Sequence, residues 1–226
     1  MESNSSGMTE RHLTLPASPE ALAELQCGDV VYLSGLVYTA REGVYQKVLN
    51  DGIALPDGVM QATNANFHCS PAAARQADGS FVVGGVTATA SFRFSKWMPQ
   101  WLDLTGTRIV IGKGGMRDDD YKQVLAPRNT VYLTTVGYGT GALLGRGVKR
   151  VQAVHWLEEL GIAQAMWLFE VERFGPFIVD GDVRGRSLFI EQGELINARL
   201  GDLYKGLRPP ALHRYGETDD RRDELM

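Results

Sequence analysis

The stretch Arg108-Ile109-Val110-Ile111-Gly112-Lys113-Gly114-Gly115, with its companion Thr130-Val131-Tyr132-Leu133-Thr134-Thr135-Val136 and the glycine-rich run Gly137 to Gly145, decides the fold class. Each is an apolar, largely β-branched strand that stops at glycines. Two strand-to-glycine-loop junctions in succession are the pattern of βα units, whose strands lie parallel.

Working outward, Val30 to Leu33 and Leu36 to Thr39 are short strand-like runs around Ser34-Gly35, which predicts a bent strand or a tight hairpin, with Arg41 where it stops. Glu42 to Asn50 places Val44, Val48 and Leu49 on one helical face, and Asp51-Gly52 supplies a stop. Ala65 to Cys69 and Phe81 to Val86 read as strands joined through Asp78-Gly79, a dipeptide suited to a turn with positive φ. Phe94, Trp97, Met98, Trp101 and Leu102 recur at helical spacing, and Arg93 opens that segment. Further strands are expected at Val151 to Val154, Ala165 to Val171, Phe177 to Val179 and Ser187 to Ile190. The result is a mixed α/β domain over residues 16–192. Residues 1–15 read as a flexible leader, after which Ser18-Pro19-Glu20 opens a helix with Ser as its cap. Residues 193–226 turn polar and carry Pro209-Pro210 and a charge run from Glu217 to Glu224, which reads as a C-terminal extension.

With 226 residues, 44% hydrophobic and 22% charged, the chain has the balance of a soluble globular domain that needs no staples. A net charge of -4 with scattered basic residues gives no cationic track for a nucleic-acid backbone. No uninterrupted apolar run approaches the roughly 18 residues of a membrane span, and the first residues are polar. A cytoplasmic location without nucleic-acid or membrane partners is the expectation. Cys27 and Cys69 are the two cysteines, too few for the three or four thiolates of an iron-sulfur cluster and without a zinc pattern, so no metal ligands are expected here.

Chemistry concentrates at strand ends. Arg41, Arg93 and Lys113 each follow a predicted strand, Thr89 and Ser91 lie just before Arg93, and Gly112 and Gly114 flank Lys113. Arg offers a planar fork that matches a carboxylate, and Lys offers a point charge for a neighbouring oxygen. If these ends converge they form a pocket for a dianion; taken singly, each cation reads more readily as a solvated surface charge. Gly137-Tyr138-Gly139-Thr140-Gly141-Ala142 fits a loose dinucleotide pattern, but its confirming acid is missing, and a turn with close helix packing is the competing reading. His68 and His155 sit within apolar runs and read as satisfied structural or supporting histidines.

Together these segments resemble the β subunit of L(+)-tartrate dehydratase and the C-terminal domain of class I, iron-sulfur-dependent fumarases. The likeness rests on Gly28-Asp29-Val30-Val31-Tyr32-Leu33-Ser34-Gly35, Tyr38-Thr39-Ala40-Arg41, Phe67-His68-Cys69-Ser70-Pro71, Ile111-Gly112-Lys113-Gly114-Gly115-Met116, Val154-His155-Trp156, Glu159-Leu160-Gly161 and Phe174-Gly175-Pro176-Phe177-Ile178-Val179. The matches run in order from Gly28 to Ile190. The resemblance implies a swivelling β/β/α domain and a hydro-lyase acting on a small dicarboxylic acid. It also implies an α partner in a hetero-oligomer, and that partner, not this chain, carries the 4Fe-4S cluster. It assigns catalysis to Thr89, Arg93 and Lys113, and substrate binding to Arg41, Arg93, Lys113, Gly112 and Gly114. Thr89 matches the hydroxyl proposed in the family to move the proton on the carbon next to a carboxylate.

The sequence also departs from the family. Arg-Asp-x-x-His becomes Arg41-Glu42-Gly43-Val44-Tyr45, and Gly-Pro-Thr-Thr becomes Thr87-Ala88-Thr89-Ala90. The cationic frame stays while nearby polar groups change, which favours a bulkier or differently substituted acid than fumarate or tartrate. A catalytically silent or regulatory homologue is the second reading, and a nucleotide-binding module on the Gly137 loop the third.

Overall fold

The computed structural model describes residues 8–137, 139–203 and 205–206. Its strands are β1 (Glu10–Thr14), β2 (Val30–Thr39), β3 (Ala65–Phe67), β4 (Cys69–Arg75), β5 (Phe81–Ala88), β6 (Ile109–Gly112), β7 (Val131–Thr135), β8 (Val148–His155) and β9 (Met166–Gly181). Its helices are α1 (Pro19–Ala23), α2 (Glu42–Tyr45), α3 (Val59–Ala62), α4 (Met98–Thr105), α5 (Asp118–Asp120), α6 (Thr140–Gly147), α7 (Leu157–Leu160) and α8 (Leu188–Leu203).

The main sheet has the order β1-β2-β3-β6-β7-β9-β8, and β9 pairs back to β2. Strands β2, β3, β6 and β7 are parallel neighbours, while β9 runs antiparallel to both β7 and β2. The five strands β2, β3, β6, β7 and β9 therefore close on themselves, and the mixed α/β class with a mixed sheet is the observed one. Side chains alternate across this wall, as the period of two requires. Val37, Ile109, Ile111, Val131 and Leu133 join Phe67, Phe174 and Phe177 in one buried cluster, whereas Tyr38, Val110 and Tyr132 join Val44, Trp97 and Trp101 in a second. Both faces of the wall are covered, which is why its strands read as continuous apolar runs.

Ser18 caps α1 by accepting from the Ala21 N–H, with Pro19 in the first turn. The bent-strand reading of residues 30–39 holds: β2 is one strand with register shifts around Gly35, whose φ is +123°. The Asp78-Gly79 hairpin joins β4 to β5, a separate two-stranded ribbon.

Four expectations are corrected. Residues 10–15 are no leader: β1 pairs parallel with β2, and Leu13 and Leu15 are buried in the core. The polar residues that made this stretch look solvated belong to a half-exposed edge strand; residues 1–7 lie outside the described residues. The run Ala65 to Cys69 breaks at His68, so β3 serves the closed wall while β4 opens the hairpin. The two strands expected at Ala165 to Val171 and Phe177 to Val179 are one, β9. Ser187 to Ile190 is not a strand: Leu188 begins α8, Ser187 caps it by accepting from the Ile190 N–H at 3.3 Å, and Asp180 accepts from both the Ser187 hydroxyl and the Phe189 N–H, each at 3.0 Å. A short apolar run cannot by itself distinguish the two states. From Gln192 the chain forms a separate unit, helical to Leu203, and the rest of the expected extension from residue 207 lies outside the described residues.

Candidate functional site

Because β3, β6 and β7 are parallel, His68, Lys113 and Gly137 leave their strands at the same rim. The segment Thr89 to Ser91, which connects β5 to the 3₁₀ turn Ser91–Trp97, is laid against that rim as an added rung. Ala90 pairs with Lys113, the Lys113 N–H donates to the Thr89 carbonyl at 3.1 Å, and the Ser91 N–H to the Lys113 carbonyl at 3.4 Å. On the other side, the Thr89 N–H donates to the His68 carbonyl at 2.6 Å, and the His68 N–H to the Ile111 carbonyl at 2.8 Å. Backbone bonding thus brings Thr89 beside Lys113. Thr89 is buried and Lys113 exposed. Gly112 has no room for a side chain, since a Cβ there would overlap Ser91 Oγ and meet the Thr89 carbonyl at 3.1 Å. Gly114, with φ at +65°, turns the chain in open space.

Arg41 stands at the start of α2. Its guanidinium donates to Ser70 Oγ and, at 2.9 Å, to the Ala163 carbonyl, while its Nε is buried without a hydrogen-bond partner. Burial holds its pKa below the usual guanidinium value, and the nearby Arg93 charge pushes the same way. The two arginines therefore lie within electrostatic reach of each other. The β4–β5 ladder links Arg41, through Ser70, to the Thr89 rung, because Ser70 opposes Thr87 and Cys69 opposes Ala88, and Arg93 lies on the 3₁₀ turn that follows the rung. Among the described residues Arg41, Arg93 and Lys113 form no ion pair, whereas Lys47, Arg128 and Arg150 each hold a carboxylate. Half-buried and exposed cations without an ion pair at one rim favour an anionic ligand.

Beneath the rim runs a polar chain that the sequence did not disclose. The Asn66 amide donates to the Tyr45 hydroxyl at 2.7 Å, which lies 2.8 Å from His68 Nε2. His68 Nδ1 lies 2.8 Å from Ser91 Oγ, and the Tyr132 hydroxyl donates to that oxygen at 2.9 Å and sits 3.3 Å from the Lys113 carbonyl. Burial, with a smaller contribution from Arg41, pushes the His68 pKa down to about 3, so the imidazole is neutral. The rings of Tyr45 and Tyr132 are buried in the core, and only their hydroxyls join this chain.

The Gly137 loop and α6 close the rim on the far side. A cavity of about 770 Å³ opens there, bounded by Val86, Ala90, Phe92, Lys113, Thr135 and Leu144. The glycines of the dinucleotide-like run serve packing: a Cβ on Gly141 would lie 3.1 Å from the Val86 carbonyl, and one on Gly145 2.8 Å from the Gly84 backbone. The strand after α6 is β8, which is antiparallel to β9, so no second parallel unit forms, and Glu159 is engaged by Lys47. The nucleotide reading loses its structural context.

Neither cysteine fits a cluster. Cys27 donates to the Asp180 carbonyl at 3.2 Å, and burial pushes its thiol up to about 11; Cys69 is fully buried and also raised. Among the described residues no three His, Cys, Asp or Glu side chains gather as a metal site. No described helix is long and apolar enough to cross a membrane.

Comparison with known proteins agrees with this architecture. A protein of Methanocaldococcus jannaschii provisionally named L(+)-tartrate dehydratase subunit beta is 34% identical over 183 residues, covering 80% of this chain and 91% of that one. The L(+)-tartrate dehydratase subunit beta of Escherichia coli K12 is 29% identical over 189 residues, 83% of this chain and 90% of the subunit. A provisionally named class I fumarate hydratase of Geobacillus stearothermophilus is 33% identical over 176 residues, 78% of this chain but 33% of that longer protein. Since the family described as Fumarase C-terminus matches residues 1–192, the chain belongs to that family.

Proposed function

We propose that this chain is the substrate-gripping β subunit of an iron-sulfur-dependent hydro-lyase that adds or removes water on a small dicarboxylic acid, such as malate or fumarate, tartrate or a substituted relative. The carrying observation is the rung that sets Thr89 beside Lys113, with Arg41 joined to it through Ser70 at the hairpin base and Arg93 on the turn that follows it. The names of the relatives support the reaction class. Because the two cysteines do not suit a cluster, the 4Fe-4S group belongs to an α partner, and the chain works as part of that hetero-oligomer.

Removing water from a 2-hydroxy acid takes a weakly acidic proton from the carbon beside a carboxylate, so negative charge grows on that carboxylate. Arg41 is suited to hold one carboxylate by its fork, of which, among the described residues, only Nη1 is engaged, by Ser70 Oγ and the Ala163 carbonyl. Lys113 and Arg93 are suited to offset the growing charge, and the same cations favour the ionised form of the Thr89 hydroxyl that would take the proton.

The test is anaerobic co-expression with the cluster-bearing partner and an assay against 2-hydroxy and unsaturated dicarboxylates. Water transfer by the complex should fall at least about 10²-fold in Thr89→Ala, the usual scale for a lost proton-transfer group. A well-formed complex inert to every acid would favour the silent homologue.

A further inference from the structure

Resting on that reading, we infer that His68 is a positioning residue: through Ser91 it fixes the register between the Thr89 segment and the Gly112-Lys113 turn. His68 touches each part of the rim by a different atom. Its carbonyl accepts from Thr89, its N–H donates to Ile111, and its Nδ1 meets Ser91 Oγ at 2.8 Å. Ser91 Oγ in turn occupies the space a Gly112 side chain would need and accepts from Tyr132, whose hydroxyl also reaches the Lys113 carbonyl.

Of the backbone bonds in the rung the Ser91-to-Lys113 bond is the longest, at 3.4 Å against 3.1 Å for Lys113 to Thr89, which leaves the Ser91 end the most freedom to shift. The wedge of Ser91 Oγ against Gly112 removes that freedom, and His68 and Tyr132 hold the wedge from two sides. His68 itself is held by the Tyr45 hydroxyl and by ring contacts with Tyr45 and Phe94, with centroids 6.0 and 4.8 Å away. It is fully buried, so it meets no substrate. A neutral imidazole serves this geometry, with one nitrogen donating and the other accepting. The groups facing it are Tyr45, Asn66, Ser91 and Phe94, with Arg41 acting on it electrostatically.

Three variants test this: Ser91→Ala, which removes only the wedge oxygen; His68→Asn, whose amide can still reach Ser91; and His68→Leu. The first readout is amide exchange in the isolated chain. Exchange at Thr89, Ser91 and Lys113 should quicken at least about tenfold in Ser91→Ala and His68→Leu, with Val110 and Leu133 unchanged and His68→Asn close to wild type. The second readout is kinetics of the complex: kcat should fall about 10- to 100-fold with KM moved less than threefold, the pH profile should keep its shape, and His68→Asn should restore most of the loss.

Unchanged exchange at the three amides in Ser91→Ala, or quickening spread evenly through the core, overturns the inference. So does a pH profile that loses an ionisation in His68→Asn, which would make His68 a proton carrier. If the exchange pattern appears while the wild-type complex acts on no acid, the positioning stands and the hydro-lyase reading fails.

Discussion

His68 shows how burial decides what a titratable group does. Its pKa of about 3 against an ordinary 6.5 arises first from burial and then from Arg41, so the folded protein resists a proton that the unfolded chain accepts. The folded value is depressed, so the stabilisation from a neutral His68 is complete above pH 6.5 and is lost as pH falls from 6.5 towards 3. The slope is about 1.4 kcal/mol per pH unit. Urea unfolding of wild type and His68→Asn at pH 7.5 and 5.0 isolates it: the wild type should lose about 2 kcal/mol more than the variant over that interval. Equal losses would mean that water reaches the ring. From the sequence, a histidine within an apolar run was legible as a supporting residue, but not its partners. Ser91 and Tyr132 are 23 and 41 residues from their contacts, and nothing local marks a tyrosine whose hydroxyl matters.

Helix α6 carries the clearest contrast between a motif and its use. The glycine run read loosely as a nucleotide fingerprint, yet Gly141 and Gly145 recur at four-residue spacing on the face that meets β5, where backbone approaches backbone. Gly145→Ala drives a Cβ to 2.8 Å from Gly84, and neither side is a flexible side chain that can yield, so the helix must lift. Thermal or urea unfolding should register a loss of about 1–3 kcal/mol, the usual cost of overpacking. Gly84→Ala is the control across the same contact. Its Cβ meets nothing closer than 3.9 Å, and the expected change is within about 0.5 kcal/mol. Strand and helix types at β2, β6, β7 and α1 followed from local signals: β-branched runs, a Ser cap, a Pro in the first turn. The beginning of α8 did not, although Ser187 is a local cap that accepts from the Ile190 N–H at 3.3 Å, because the apolar Leu188-Phe189-Ile190 run looks like a strand and the second acceptor, Asp180, lies seven residues earlier on β9.

Closure of the wall governs how the first strand enters the fold. Strand β9 returns to β2, so β2 has β9 along one edge, and its other edge is shared between β3 at one end and β1 at the other. This long-range arrangement is invisible to periodicity, which is why residues 10–15 read as part of a flexible leader. Ser34-Gly35 was legible as a bend, but its reason is Leu15. The Leu15 N–H donates to the Ser34 carbonyl at 2.8 Å, and a Cβ on Gly35 would lie 2.8 Å from the Leu15 carbonyl. Leu15 thus crosses over the bend and drops its side chain into the core with Leu13. If the first strand is integral to the closed wall, Leu15→Ala should cost about 2–5 kcal/mol, as large-to-small core changes do. In a domain of this size that corresponds to a melting temperature lower by roughly 5–15 °C. A leader lying in solvent would give less than about 0.5 kcal/mol. The same variant should leave the amide exchange of Thr89 and Lys113 unchanged under native conditions, because Leu15 and the rim share no described hydrogen bond.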